Sequence, residues 1–183
     1  MPRSSLPVLW QIFYTGAATR FVGPGNDWNA ILARVESHPD EVKYEDDLYH
    51  RRFLHCLLKP DVHPPEELLI KVIQAHPEAL AVPDWMGQLS LHKVVRKCLS
   101  VVVLKCVLDT YPKAAAYRDR GGALPLHLVS CYRDDGVDYV RMLVEAYSDA
   151  SVMTNLNGWC LWNHVNDRCV KYIIALRKIG SML

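Results

Sequence analysis

His127 and Cys131 stand four residues apart, and His164 and Cys169 five apart. Residues four apart share one face of a helix, so an imidazole and a thiolate at that spacing could ligate one soft metal ion. A tetrahedral site needs further ligands, and no Cys-x-x-Cys pair is present to supply them. The six cysteines, Cys56, Cys98, Cys106, Cys131, Cys160 and Cys169, all fall inside apolar helical patterns. They read as reduced, buried thiols rather than as a disulfide framework. No glycine-rich phosphate loop, nucleophile elbow or His-Glu-x-x-His pattern occurs. The expectation is a chain with no catalytic residue, no metal, no cofactor and no small-molecule substrate.

The histidines make more sense as parts of a repeated phrase. Asp119-Arg120-Gly121-Gly122-Ala123-Leu124-Pro125-Leu126-His127 reads as a turn that opens a helix. Gly121 and Gly122 permit positive φ, and Pro125 suits a first helical turn, where its missing N–H has no partner to lose. Asp84 to His92, with Gly87 at its turn, is the same phrase 35 residues earlier. Asn155 to Asn163, with Gly158, is the same phrase 36 residues later, and a fainter copy ends at His55. A second landmark drifts with the first. Pro39, Pro77, Pro112 and Ser148 follow His38, His76, Tyr111 and Tyr147, at spacings of 38, 35 and 36.

Each unit then predicts a turn, a short helix opening at the Leu-His phrase, a connection, and a second apolar helix stopped at the His-Pro or Tyr-Pro step. An Ala-rich extended piece leads to the next Asp. In one unit the helices fall at Ser90 to Lys97 and Val101 to Thr110. The expected helix pairs span residues 90–105, 125–147 and 160–179. Pro60, Pro64 and Pro65 make the connection in the first unit, and Glu66 and Glu67 complement the helix dipole that follows. Asp134-Asp135-Gly136 connects the third, with Asp138 at or near its cap. Asp27 to Val35 reads as a second helix whose partner, Leu6 to Tyr14, is degenerate. Cys169 to Ile179 reads as a final amphipathic helix.

Half the 183 residues are apolar and 22% are charged, enough to build a core. A net charge of +1 argues against binding nucleic acid mainly through phosphate neutralisation. No apolar run reaches 18 residues. The N-terminal apolar stretch carries one charge, Arg3, and is broken by Pro7 and Gln11, so it reads poorly as a signal peptide. A cytoplasmic or nuclear protein is expected.

The phrase resembles the ankyrin repeat, whose pattern is Asp-x-x-Gly-x-Thr-Pro-Leu-His-x-Ala followed by a second helix and a hairpin finger. The match is strongest at Asp119 to Val129 and good at Asp84 to Val94. Leu89 and Leu124 replace the family's threonine, Val94 and Val129 its small alanine, and the usual glycine between the helices is absent or displaced. The resemblance implies an all-α, ankyrin-like solenoid of stacked helix pairs with short turn or hairpin fingers. It implies an irregular or degenerate cap at residues 1–26, an array of about four repeats at 27–179 with boundaries near 46, 84, 119 and 155, and a tail at 180–183. His55, His92, His127, Gly87, Gly122, Gly158, Asp84 and Asp119 become structural landmarks.

What remains is surface. In the ankyrin arrangement the finger tips are Trp85 and Met86, then Arg118 and Arg120, then Leu156 and Asn157. The concave side of the first helices carries Lys93, Arg96 and Lys97, then Tyr132 and Arg133, then Arg168. Trp, Tyr and Arg dominate interface hot spots. The implied function is a monomeric, non-catalytic protein-interaction module, whose partner offers an acidic segment with an apolar anchor and which does not act at a membrane. Two alternatives stand beside it. One is a helical-repeat RNA reader, although its base-reading positions should repeat and Lys93, Leu128 and His164 do not. The other is a fragment of a larger ankyrin scaffold, since the N-terminal unit looks incomplete.

Overall fold

Four times in the computed structural model a helix stops in the same way. The structure describes residues 7–15, 27–46, 51–129 and 136–158. His38, His76, Tyr111 and Tyr147 leave helical space, with φ of −138°, −145°, −142° and −153°. Each still donates its N–H to the carbonyl four residues back, on Arg34, Val72, Val107 and Leu143. Each then offers its own carbonyl to the residue three ahead, on Glu41, Ala79, Ala114 and Ala150. Those bonds open short 3-10 turns at Pro39–Lys43, Pro77–Ala81, Pro112–Ala116 and Ser148–Ser151. The Ala-rich pieces expected to be extended are therefore coiled. Proline's fixed φ suits the first position of such a turn, where it needs no N–H, and the cap carbonyl accepts from the residue two beyond it. Extended backbone follows at Val82 and Tyr117, and at Glu45–Asp46 after the first turn.

The chain forms two compact units, Met1–Trp85 and Met86–Leu183. Both are predominantly helical among the described residues. In the first unit α1 spans Val8–Thr15, α2 Trp28–Ser37, α3 Phe53–Leu57 and α4 Glu66–Ala75. A two-residue antiparallel pair, β1 at Glu45–Asp46 and β2 at Arg51–Arg52, precedes α3. Asp27 caps α2 by accepting the Ala30 N–H at 3.0 Å.

Of the segment 1–26 only residues 7–15 are described; α1 falls where the degenerate partner helix was expected, at Leu6 to Tyr14, and is built into the core of its unit. Leu9, Trp10 and Phe13 are fully buried, and Phe53 meets the rings of Trp10 and Phe13 edge-on, with centroids 5.6 and 5.2 Å away. Glu41 accepts the otherwise orphaned Leu9 N–H at 2.7 Å and is gripped on both oxygens by Arg34. That grip holds the Glu41 carboxyl below the usual carboxylate range.

In the second unit α5 spans Ser90–Arg96, α6 Val101–Thr110 and α7 Gly136–Ala146. Ser100 caps α6, and Val103, Leu104, Val107 and Leu108 form its buried stripe. The first helix expected after residue 125 is only a 3-10 turn, Pro125–Leu128. It closes with i to i+3 bonds at His127 and Val129, and Val129 turns extended (φ −65°, ψ 119°), so the α ladder does not propagate. Gly136 lies inside α7, with Asp138 in its first turn rather than at its cap. The proposed helix at Cys169 to Ile179 and the tail 180–183 lie outside the described residues.

The connection after α5 turns without the glycine that is usual between such helices. Lys97 caps the helix, Cys98 takes φ +48°, and the Cys98 and Leu99 N–H groups return to Val95 and Val94. This is a Schellman closure with cysteine at the position where glycine is usual.

Candidate functional site

Three turns of one design line the second unit. Gly87, Gly122 and Gly158, 35 and 36 residues apart, all sit at positive φ (+72°, +71° and +74°). Of the pair Gly121 and Gly122, only Gly122 needs that freedom. Asp119 shapes its turn by accepting the N–H groups of Gly121 and Ala123 on one carboxylate oxygen, each at 2.9 Å. Asn155 repeats the arrangement for Asn157.

Neighbouring turns are tied by matching backbone bonds. Arg120 N–H donates to Met86 C=O at 3.2 Å, and Leu156 N–H donates to Gly121 C=O at 3.1 Å. The approach is close enough that a Cβ on Gly87 would lie 3.0 Å from Arg120 N, and one on Gly122 would lie 3.1 Å from Leu156 N. Side chains reinforce the ladder. Gln88 donates to the second Asp119 carboxylate oxygen at 2.9 Å. Arg118 donates to the carbonyls of Gly122 and Thr154, at 2.7 and 2.9 Å.

The histidines are fixtures of the same scaffold. The His127 Nδ1 accepts the Leu124 N–H at 2.9 Å, which leaves Nε2 to carry the proton and donate to Met153 C=O at 2.9 Å. Both nitrogens are thereby committed to backbone. His92 reaches across to Ala123 C=O at 3.2 Å, and in the first unit His55 accepts the Arg52 N–H at 3.4 Å. All three imidazoles are buried. Among the described residues no three His, Cys, Asp or Glu side chains gather as metal ligands would, and Cys56, Cys98 and Cys106 are not in disulfides. Cys131, His164 and Cys169 lie outside the described residues.

Of the residues expected to meet a partner, Trp85 is 63% exposed, Met86 38%, and Leu156 78%. Arg96 and Arg120 are exposed, and Lys93 and Lys97 are half-buried. The ladder places Met86, Arg120 and Leu156 on three successive turns. Arg118 is exposed, and its Nη1 donates to two carbonyls and so fastens one turn to the next. Tyr132, Arg133 and Arg168 lie outside the described residues. Asp84 is buried and Asp119 half-buried. Gln88 was missed, because a glutamine beside a turn glycine carries no local signal of a partner 31 residues away.

Among the described residues no helix is long and apolar enough to cross a membrane. No protein-family model matches the chain, and no curated protein matches it.

Proposed function

We propose that the chain is an ankyrin-like solenoid that works as a non-catalytic protein-interaction module. The observation that carries this reading is the row of tied turns. Backbone bonds, Gln88 and Arg118 fix its spacing, while Met86, Arg120 and Leu156 stand outward on it. The recurrence of one helix stop and one positive-φ glycine at matching intervals supports the repeat assignment. A surface held this way loses little conformational entropy on binding, so its side chains can act as preorganised anchors. The commitment of His127 to two backbone groups favours a structural over a catalytic role. A monomer in the cytosol or nucleus completes the reading, the compartment resting on cysteines within apolar helical patterns.

The test is a quantitative pull-down from native lysate with wild type beside the double variant Met86→Asp/Leu156→Asp. The expected result is a protein retained by wild type and lost by the variant at an unchanged melting temperature. Retention of the same proteins by both would overturn the assignment of this surface. Retention of RNA, with a steep salt dependence, would replace the reading with that of an RNA binder.

A further inference from the structure

Charge in the second unit is distributed by layer. On the α6 and α7 side, the acidic groups Asp109 and Asp138 are each paired along their own helix, with Lys105 and Arg141, both at 2.8 Å. Glu145 and Asp149 lie on α7 and the turn that follows it. The turns and α5 differ. Two carboxylates are described there: Asp84, buried at the head of the first turn, and Asp119, with one oxygen filled by two backbone N–H groups and the other by Gln88. Arg118, next to it, donates only to neutral carbonyls, so its charge is not balanced by its bonds. Arg120 and Arg96 are exposed and form no ion pair among the described residues. Arg120 stands between two exposed apolar side chains, Met86 on the preceding turn and Leu156 on the next.

We infer that this row takes an acidic peptide segment carrying one aliphatic or aromatic anchor, with its carboxylates on Arg120 and Arg96 and its anchor against Met86 or Leu156. The inference rests on the interaction-module reading and names its partner chemistry. Positive charge without carboxylate partners draws a negative ligand and speeds its encounter, and guanidinium forks suit carboxylates. The groups that flank Arg120, Met86 and Leu156, are aliphatic and add apolar contact for a side chain. A flexible, exposed Met and a Leu fit a protein anchor better than a polyphosphate.

The experiment uses the full chain and a phage-displayed library of random dodecapeptides. Enriched peptides are synthesised, and their affinity is followed across a salt series. The expected outcome is a pool rich in Asp and Glu with a Leu, Ile, Phe or Met. Binding should weaken at least about tenfold in Arg96→Glu/Arg120→Glu, with a flattened salt dependence. Should that charge reversal fail to fold, Arg96→Gln/Arg120→Gln supplies the same comparison. Leu156→Ser should speed dissociation while leaving association nearly unchanged. A neutral or basic pool, or acidic peptides indifferent to these arginines, would overturn the partner chemistry and leave the interaction module standing. Single-stranded RNA that displaces the peptides and binds more tightly would also overturn it. A library that yields no binder at all would sink both readings.

Discussion

The closest test of the turn design compares alanine at Gly121, Gly122 and Gly158. Gly122 sits at φ +71°, and its missing Cβ would fall 2.8 Å from Leu156 Cγ and 3.1 Å from Leu156 N. Holding a non-glycine residue in the left-handed region costs about 1–2 kcal/mol. The exposed Leu156 side chain can swing aside, but its N–H is bonded to Gly121 C=O at 3.1 Å, and losing that bond adds about 0.5–1.5 kcal/mol. Gly122→Ala should therefore lower stability by about 2–3 kcal/mol. Gly158 has the same backbone, φ +74°, with no described atom within 4 Å of its Cβ position. Its alanine variant should show the backbone penalty alone, about 1–2 kcal/mol. At Gly121 φ is not positive and the nearest atom is Asp119 Oδ1 at 3.3 Å, so Gly121→Ala should stay within about 0.5 kcal/mol of wild type. Urea unfolding of all three, with slopes compared as well as midpoints, measures the ordering. Equal midpoints for Gly121→Ala and Gly122→Ala would refute the reasoning, and Gly158→Ala matching Gly122→Ala would remove the cross-turn contribution.

Other expectations follow from local geometry. Cys98→Gly should stabilise the protein by about 0.5–1 kcal/mol, because it relieves the left-handed strain at φ +48°; a lower urea midpoint would count against the closure described here. His127→Ala should destabilise by about 2–3 kcal/mol, since Leu124 N–H and Met153 C=O both lose their partner, and thermal melts decide it. Burial, with Arg52 and Lys43 adding to it and Glu78 opposing, holds the His76 imidazole below its ordinary value of 6.5. The unfolded chain then takes up the proton first, so this group's contribution to stability is intact above that value and is lost as pH falls through it toward the native value. His76→Tyr, which copies Tyr111 and Tyr147 at the equivalent helix stop, should flatten the decline measured between about pH 7.5 and about pH 5.5; an unchanged slope would place the titration elsewhere.

Legibility tracked the range of the interaction. Helix stops at His38, His76, Tyr111 and Tyr147 were readable because each depends on its own backbone and on the residue that follows. The boundaries of α5 and α6, and the apolar stripe at Val103, Leu104, Val107 and Leu108, were readable for the same reason. The coiling of the Ala-rich pieces was just as local but was misread, because alanine after proline fits a 3-10 turn as well as it fits extended chain.

The sequence by itself determined the interval of the turns, the helix ends and the glycine-bearing position in each turn, since periodic side chains and fixed backbone preferences act within a few residues. Spacing from Gly87 and Gly158 already marked Gly122 over Gly121, and the tertiary structure decided what holds it there: Asp119 and the approach of Leu156. It made the exposed Arg118 a tie between Gly122 and Thr154. It drew Gln88 onto Asp119 and brought α1 into its unit's core through Trp10, Phe13 and Glu41. Each of these depends on partners tens of residues away, and no local preference of the chain encodes which of several chemically suitable groups will arrive.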